Sequence, residues 1–313
     1  MGVDHRTGTH TVVNRTSSPR ARGAALILAL WALFLLSAMI ISWAIDIDTR
    51  LTLSSRANRG LEAEAMACSG AEVALHPHVK PDSPNLVGAI DRGTYEAHIT
   101  GEGGRLNLNW LVAGEDPVRL EILRKYLENK GIDLNERDRM IDCLLDWVDP
   151  DNLVRLNGAE DGPDYHPANT LLTRLDQLKK VKGWLEFTSG EDWDEDLTLN
   201  SAGPVDLMWA SRDVLLALPG LSENIIDQFL QIRRGPDGID GTEDDAQFKS
   251  LDEVRSALGL TAEQFQQLAS LVSFKDQVFR IVSTGKSGDA ERKIQMVVRK
   301  VGNQPQLITW KEL

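Results

Sequence analysis

One uncharged apolar stretch near the N-terminus constrains the fold of this chain more than any other feature. Residues 23–45 read GAALILALWALFLLSAMIISWAI and contain no Asp, Glu, Lys or Arg. As a helix they would span about 33 Å, which is enough for a bilayer core of about 30 Å. The stretch is longer than the roughly 7–15 apolar residues of a cleavable secretory signal, and it lacks the polar stripe of a helix on a soluble domain. We therefore predict one membrane-spanning helix.

The charges that flank this stretch predict its orientation. Arg15, Arg20 and Arg22 precede it, and Asp46 and Asp48 follow it. Because basic flanks stay on the cytoplasmic side, we expect a cytoplasmic N-terminus and an extracytoplasmic body from about residue 46 onward. The sequence has no second stretch of this kind, so we expect a single-pass protein.

The composition excludes several classes of protein. The chain of 313 residues has 34 Lys and Arg against 47 Asp and Glu, a net charge of −13, which argues against a nucleic-acid partner. Two cysteines, Cys68 and Cys143, are too few for a disulfide scaffold or a four-cysteine zinc site. We expect two separately buried thiols in preference to a disulfide. No Gly-x-Ser-x-Gly elbow, phosphate loop or His-Glu-x-x-His motif occurs, which favours a protein that is not an enzyme.

The junction before the apolar helix has a recognisable form. A basic segment ending at Arg22-Gly23 directly precedes Ala24 and the apolar run. This resembles the class III leader of type IV pilins and pseudopilins, in which a prepilin peptidase cuts after the Gly and methylates the new N-terminus. The resemblance implies a cut between Gly23 and Ala24. An uncleaved signal anchor with a Gly at this position is the alternative, because Gly is common in membrane helices.

The fifth position after the implied cut is Leu28, where most pilins carry a Glu. In those proteins the carboxylate offsets the N-terminal ammonium of a neighbouring subunit within the apolar filament core. A subunit that lacks it suits the end of a filament. The pseudopilin family that characteristically lacks it is the minor pseudopilin K of type II secretion, the general secretion pathway protein K.

The rest of the chain alternates between helical and strand patterns. The membrane helix continues through residues 46–75 and stops near Pro77, because proline cannot extend a helix. Residues 94–100 and 105–109 alternate as strands and predict a hairpin around Gly101–Gly104. Further strands are predicted at 279–284, 293–300 and 306–310, the last two joined at Gly302-Asn303. The predicted helices cover 117–130, 135–148, 174–182, 204–209, 211–217, 222–233, 250–257 and 261–273.

This order predicts an α+β fold, with a long N-terminal helix packed on a small antiparallel sheet and a large inserted all-α domain. The predicted divisions are a basic leader (1–23), a transmembrane helix (24–45), an α/β domain in two parts (46–111 and 274–313) and a helical insertion (112–273). The K family has the same layout. Four strings resemble it in order along the chain: Gly104-Arg105-Leu106-Asn107-Leu108-Asn109, Asp146-Trp147-Val148-Asp149-Pro150-Asp151, Gly158-Ala159-Glu160-Asp161 and Leu199-Asn200-Ser201-Ala202.

The resemblance implies a minor pseudopilin that caps the tip of the periplasmic pseudopilus and initiates its assembly for protein secretion across the outer membrane. It implies a bacterial inner-membrane location, with prepilin peptidase, the assembly platform and the minor pseudopilins I and J as partners. Ala24, Ala25, Ala29 and other small residues of the helix would allow close helix–helix contact in lipid. A membrane-anchored calcium-dependent enzyme or a binding module is the competing hypothesis.

An acidic loop at residues 235–245 is the strongest chemical signal. It places five carboxylates within nine residues, between glycines that permit tight turns. Calcium binds six to eight oxygens on a flexible loop, although the spacing is not that of an EF-hand. A solvated loop is the alternative, and the association of the K family with calcium favours the metal. The candidate ligands are Asp237, Asp240, Glu243, Asp244 and Asp245.

A second acidic patch contains Asp149, Asp151, Glu160 and Asp161. It is a candidate for another ion, and we rank it below the loop, because Asp more often caps helices and makes turns. The segment around Pro219-Gly220 resembles a helix-hairpin-helix. Its acidic neighbours Glu223 and Asp227 would repel phosphate, so we interpret it as a packing turn between two helices.

Overall fold

The computed structural model describes residues 19–301 and 304–313, with side chains from residue 24 onward. The chain divides into two compact units, Met1–Asn58 and Arg59–Leu313. Residues 1–18 of the predicted leader and the predicted turn at Gly302-Asn303 lie outside the described residues.

Eight α-helices and nine β-strands follow one another in the described part of the chain. The helices are α1 (Pro19–Leu75), α2 (Leu108–Val112), α3 (Pro117–Asn129), α4 (Leu134–Val148), α5 (Arg212–Ala217), α6 (Glu223–Arg233), α7 (Leu251–Ala257) and α8 (Ala262–Leu268). The strands are β1 (Val87–Ile90), β2 (Gly93–Gly101), β3 (Leu106–Asn107), β4 (Leu197–Thr198), β5 (Val205–Asp206), β6 (Val272–Ser273), β7 (Val278–Ser287), β8 (Ala290–Val301) and β9 (Gln304–Glu312).

Helix α1 contains the predicted membrane segment and its predicted continuation. From Ala24 it is long and apolar enough to cross a membrane, with an 18-residue window of mean hydropathy 2.7. Apolar side chains of the predicted membrane segment, such as Leu26 and Trp43, are about two-thirds exposed. Such a surface needs an apolar medium, which a bilayer provides. The helix ends at Leu75, two residues before Pro77, as the sequence predicts.

The five long strands form one antiparallel sheet in the order β1-β2-β7-β8-β9. The three strands predicted near the C-terminus lie within β7, β8 and β9, so that prediction is confirmed. In the second unit, Ala67, Ala71 and Ala74 of α1 are fully buried against this sheet. Their spacing of four and three residues places them on one helix face, and their small side chains let the helix lie close to the strands. The α+β class with a long helix on an antiparallel sheet is therefore confirmed.

The hairpin predicted between residues 94–100 and 105–109 is wrong. Strand β2 pairs with β1 on one side and with β7 on the other. Residues 102–104 form a short 3-10 helix, and the two-residue strand β3 pairs in parallel with β4. The alternation at 105–109 ends because Asn107 caps α2, with its side-chain oxygen accepting a hydrogen bond from the Trp110 backbone N–H at 3.1 Å.

Most of the other predicted helices are present. Helices α3 and α4 are preceded by the N-cap residues Asp116 and Asp133, whose carboxylates accept hydrogen bonds from the backbone of the first turn. Residues 175–180 form a 3-10 helix instead of an α-helix. The helix predicted at 204–209 is wrong, because β5 lies there and pairs in parallel with β6. That pairing also shortens the last predicted helix, which ends at Leu268.

Two hydrophobic clusters stabilise the second unit. One lies between α1 and the sheet. The other contains buried residues from Leu106 to Val272, including Tyr126, Trp184 and Phe229, and we call the structure around it the helical body. The domain boundaries given above remain predictions.

A buried ion pair joins the sheet to the helical body. Glu102, fully buried in the 3-10 turn after β2, accepts two hydrogen bonds from Arg280 of β7, at 2.7 and 2.9 Å. It also accepts one from the Thr198 hydroxyl of β4 at 2.5 Å. Arg105 lies 3.4 Å from the same carboxylate, and burial, with the nearby Arg280 charge, lowers its pKa to about 10. These contacts satisfy a charge that would otherwise be costly to bury.

Glycines let backbone segments approach closely at two positions of the second unit. A Cβ at Gly101 would overlap the Trp209 indole, so the turn after β2 is packed directly under that ring. A Cβ at Gly285 of β7 would overlap the Ala63 carbonyl oxygen and the Ala67 backbone nitrogen of α1. Glycine at 285 therefore sets the distance between helix and sheet.

We expect Gly285→Ala to destabilise the protein by about 1–3 kcal/mol, because the added methyl meets backbone atoms that cannot rotate away. The free energy of unfolding would be measured by urea titration of the full-length chain in detergent micelles, followed by tryptophan fluorescence. Gly190→Ala is the matched control, because its Cβ would have its nearest neighbour at 3.8 Å. Equal stability of the two variants would contradict the close approach.

Candidate functional site

Three carboxylates come together at the C-terminal end of α4. Oxygens of Asp146, Asp149 and Glu160 lie within 4.8 Å of one another. Asp146 is in the last turn of α4, and Asp149 is the C-cap, with its backbone N–H bonded to the Leu145 carbonyl at 3.0 Å. Glu160 returns to this point from the loop that follows. We call these three side chains the acidic cluster.

The loop after α4 approaches the helix end very closely. A Cβ at Gly158 would overlap the Asp146 carboxylate. The segment Gly158-Ala159-Glu160 therefore fits here only with glycine at position 158. The Gly158 backbone N–H bonds the Arg155 carbonyl at 3.1 Å and closes a turn. This turn holds Arg155 and Glu160 beside the fully buried Asp146.

Arg155 is the cation that the structure places in the acidic cluster. Its Nη1 lies 2.5 Å from Asp146 Oδ1 and 2.5 Å from Asp149 Oδ2, and its Nη2 lies 2.7 Å from Glu115 Oε1. Its backbone N–H also donates to Asp146 Oδ2 at 3.3 Å. Hydrogen bonds to Asp149 and Asp146 hold the pKa of Arg155 above its usual value despite its partial burial.

Three oxygens of the acidic cluster still lack a donor among the described residues. They are Asp149 Oδ1 and both carboxylate oxygens of Glu160, all inaccessible to solvent. Burial raises the pKa of Glu160, and the neighbouring charges of Asp146 and Asp149 raise it further. Unsatisfied buried oxygens of this kind are what a hard divalent cation such as calcium binds. The residues present therefore fit a calcium ion.

The other two members of the second acidic patch make local contacts. Asp151 accepts a hydrogen bond from the Leu153 backbone N–H at 2.8 Å, as in a turn. Asp161 Oδ1 lies 2.5 Å from His166 Nδ1 at the surface. Asp149 and Glu160 of this patch thus belong to the acidic cluster, together with Asp146, which was not among the predicted ligands.

A signal for Asp146 is present in the sequence. It lies three residues before Asp149 in Asp146-Trp147-Val148-Asp149, a spacing that brings two side chains together near a helix end. The approach of Glu160 depends on Gly158 and on the course of the loop, which the spacing alone does not give.

The loop that the sequence analysis ranked first is tied by its own hydrogen bonds. Asp240 forms ion pairs with Arg233 at 2.8 Å and with Arg234 at 3.0 Å. Asp244 accepts hydrogen bonds from the Thr242 hydroxyl at 2.7 Å and from the Asp237 backbone N–H at 3.2 Å.

The remaining candidates of this loop have separate surroundings. Asp237 accepts from the Ile239 backbone N–H at 2.8 Å, and Asp245 accepts from the Gly241 backbone N–H at 2.6 Å. Glu243 is exposed. Calcium at this loop remains a prediction.

The cysteines and the hairpin-like segment have structural surroundings. Cys68 and Cys143 are free thiols; Cys143 is buried, as expected, whereas Cys68 is only half-buried. Burial raises the pKa of Cys143 to about 11. Pro219-Gly220 lies in the turn between α5 and α6, and Arg212 of α5 pairs with Glu223 and Asp227 of α6. These contacts fit a packing role for the segment.

A cleft of about 890 Å³ lies between the sheet and the helical body, lined in part by Lys80, Trp209, Asp276 and Lys300. Among the described residues that line it there is no Ser, Cys or His.

In the absence of calcium we expect Glu160→Gln to stabilise the protein at neutral pH. Because the folded-state pKa of Glu160 is raised, the folded state holds this proton more tightly than the unfolded state. The charged carboxylate therefore costs stability above its folded-state pKa, and the cost disappears below its ordinary pKa of 4.5.

The test compares melting temperatures of the full-length proteins in detergent and EGTA between pH 4 and pH 8. The advantage of Glu160→Gln should grow as the pH rises. Glu186→Gln, at an exposed carboxylate, should show no such trend. A variant at position 160 that melts at or below the wild-type temperature at pH 7.5 would contradict the burial of this charge.

Comparisons with known proteins agree on one family. Residues 104–188, which include the acidic cluster, match the family model described as Type II secretion system (T2SS), protein K. Type II secretion system protein K of Dickeya chrysanthemi is 33% identical over 69 residues, covering 21% of this chain and 20% of that protein. Type II secretion system protein K of Pectobacterium carotovorum subsp. carotovorum is 24% identical over 196 residues, covering 52% of this chain and 58% of that protein. The chain thus matches at most little more than half the length of these relatives.

A solved structure has the same fold. A chain in the crystal structure of the GspK-GspI-GspJ complex from the enterotoxigenic Escherichia coli Type 2 Secretion System superposes with a TM-score of 0.59 at 13% sequence identity. The superposition covers 84% of this chain and 99% of that one. The family model, the curated relatives and this structure thus all show a similarity to protein K of the type II secretion system.

Proposed function

We propose that this chain is a minor pseudopilin of a type II secretion system. The observation that carries the proposal is the combination of an exposed apolar N-terminal helix with a helix-on-sheet unit and a large helical body. The same fold occurs in a chain of a solved complex of GspK, GspI and GspJ. A filament subunit needs an anchor and a lateral packing surface, and it does not need a catalytic pocket.

The apolar helix anchors the protein in the bacterial inner membrane. Three arginines, at positions 15, 20 and 22, hold the N-terminus in the cytoplasm, and the helical body lies in the periplasm. Prepilin peptidase removes residues 1–23, and the new N-terminus at Ala24 is methylated. Residues 24–45 then remain as the membrane-spanning part of the mature subunit.

The protein occupies the tip of the pseudopilus and initiates its assembly. Leu28 gives the helix no carboxylate for the ammonium of a subunit above it, since an isolated charge is costly in an apolar core. The helical body is too bulky to let another subunit stack on top. The partners are the minor pseudopilins I and J, prepilin peptidase and the assembly platform, and the small residues of the membrane helix allow close lateral packing.

Cleavage of the leader tests this function directly. In cells with an active prepilin peptidase we expect the purified protein to begin at methylated Ala24, and in cells without the peptidase we expect it to keep residues 1–23. Intact mass and N-terminal sequencing distinguish the two. Gly23→Leu should block the cut, whereas Gly8→Leu, a matched change within the leader, should leave it unaffected. An intact N-terminus in both cell types would favour an uncleaved signal anchor and contradict the pseudopilin proposal.

We further propose that the helical body binds calcium at the acidic cluster, through Asp146, Asp149 and Glu160. The unsatisfied oxygens of Asp149 and Glu160 support this assignment over the internally bonded loop at 235–245. A bound divalent ion neutralises the carboxylates and ties the end of α4 to the turn at residues 155–160. Binding to the folded state alone would stabilise the fold.

Titration calorimetry with calcium on the full-length chain in detergent, after treatment with EGTA, distinguishes the two sites. We expect Glu160→Gln to weaken binding by at least about tenfold, as expected when a metal site is disturbed. Asp244→Asn, a matched loss of one charge in the loop, should leave it nearly unchanged. The opposite pattern would assign calcium to the loop, and no binding by the wild-type protein would contradict the calcium proposal.

A further inference from the structure

Arg155 occupies oxygens that a cation bound to Asp146 would also need. Both oxygens of Asp146 already accept hydrogen bonds from Arg155, one from Nη1 at 2.5 Å and one from its backbone N–H at 3.3 Å. Asp149 gives Oδ2 to the same Nη1 at 2.5 Å and keeps Oδ1 without a donor. A divalent ion among these carboxylates would therefore meet the Arg155 guanidinium at close range.

Two positive charges that share one pair of carboxylates oppose each other. The repulsion is strong here because Asp146 is fully buried and the Arg155 side chain is only 21% exposed, so water screens the charges weakly. An ion that binds Asp146, or that binds Asp149 through Oδ2, must share that oxygen with an Arg155 N–H group or displace it. The guanidinium has another partner outside the acidic cluster, Glu115, which Nη2 already contacts at 2.7 Å and which is 56% exposed.

We propose that Arg155 is a tethered counter-ion that competes with calcium for Asp146 and Asp149 and so sets the calcium affinity of the helical body. In the metal-free protein the guanidinium offsets the buried charge of Asp146 and keeps the end of α4 folded. When calcium binds, Arg155 moves away from the shared oxygens and keeps its contact with Glu115. This inference rests on the calcium-binding part of the proposed function and assigns a role to a residue that would not itself be a metal ligand.

The competing interpretation gives the opposite sign. If Arg155 only orients the carboxylates for the metal, its removal would leave them disordered and would weaken calcium binding. If Arg155 competes with the metal, its removal frees the oxygens and strengthens binding. The direction of the change in affinity therefore decides between a positioning residue and a competitor.

The experiment is calcium titration calorimetry of full-length Arg155→Gln in detergent, beside the wild type. We expect the calcium dissociation constant of the variant to be lower by at least about fivefold. The substitution removes both the attraction of Arg155 for the carboxylates and its repulsion of the calcium ion. Arg124→Gln is the matched control, because Arg124 pairs with Glu121 and Asp138, away from the acidic cluster. That control should bind calcium as the wild type does.

Melting temperatures supply a second readout. In EGTA, Arg155→Gln should melt below the wild type, because Asp146 loses its counter-ion while still buried. In saturating calcium the difference should shrink or reverse. If Arg155→Gln does not fold without metal, Glu115→Gln provides the test. It removes the partner to which Arg155 would move without touching a proposed ligand, so calcium binding should weaken, and unchanged or tighter binding would overturn the competition.

The outcomes separate this inference from the calcium proposal. Tighter binding by Arg155→Gln than by the wild type supports competition. Equal or weaker binding by the variant, with calcium still bound by the wild type, overturns the role of Arg155 and leaves the calcium site intact. No calcium binding by either protein overturns both, and identifies Arg155 as a permanent structural partner of Asp146.

Discussion

The buried pair of Glu102 and Arg280 determines how the chain leaves the sheet and enters the helical body. Burying two charges is unfavourable unless both are fully paired. Glu102 meets this condition through both nitrogens of Arg280 that face it and through the Thr198 hydroxyl of β4. The three residues come from the turn after β2, from β7 and from β4, so a single carboxylate links the sheet to the first strand pair of the body. Any other path for residues 102–106 would leave the charge of Glu102 or Arg280 unpaired in the interior.

Close backbone approach is the second constraint, and it explains why glycines lie where they do. The turn at Gly101 passes beneath the Trp209 indole, and β7 meets α1 at Gly285. The buried alanines of α1 serve the same purpose from the helix side. Together they bring the helix and the sheet close enough for a thin apolar layer to exclude water, which a larger side chain at any of these positions would prevent. The small residues are therefore a requirement of the packing and not simply a feature of flexible turns.

The sequence predicts those parts of the fold that depend on local pattern. The length and apolar run of α1, its end near Pro77, and the alternation in β7 to β9 required no knowledge of distant partners. The sequence predicts strand 94–100 but not its partner strands. The choice of partner depends on the pairing of Glu102 with Arg280, which are 178 residues apart. The sequence predicts a helix at 204–209 and misses strand β5, because the partner of this strand, β6, is also distant in sequence. The candidate site also divides into a local part and a distant part. The charge density of the loop at 235–245 can be read from the sequence, whereas the proximity of Glu160 to Asp146 depends on the fold.

The position of the acidic cluster on α4 explains why it needs a cation at all. The C-terminal end of a helix carries a partial negative charge, and carboxylates there are destabilising. Asp146 and Asp149 occupy that end, and Glu160 adds a third carboxylate from the following loop. Their mutual repulsion and the helix dipole act in the same direction, and burial of Asp146 removes the screening that water would provide. Arg155 offsets part of this charge from within the chain, but Glu160 and one oxygen of Asp149 stay without a donor. Under the calcium proposal a divalent ion would take the oxygens that stay without a donor, while the contacts of Arg155 with Asp146 and Asp149 exist without any metal.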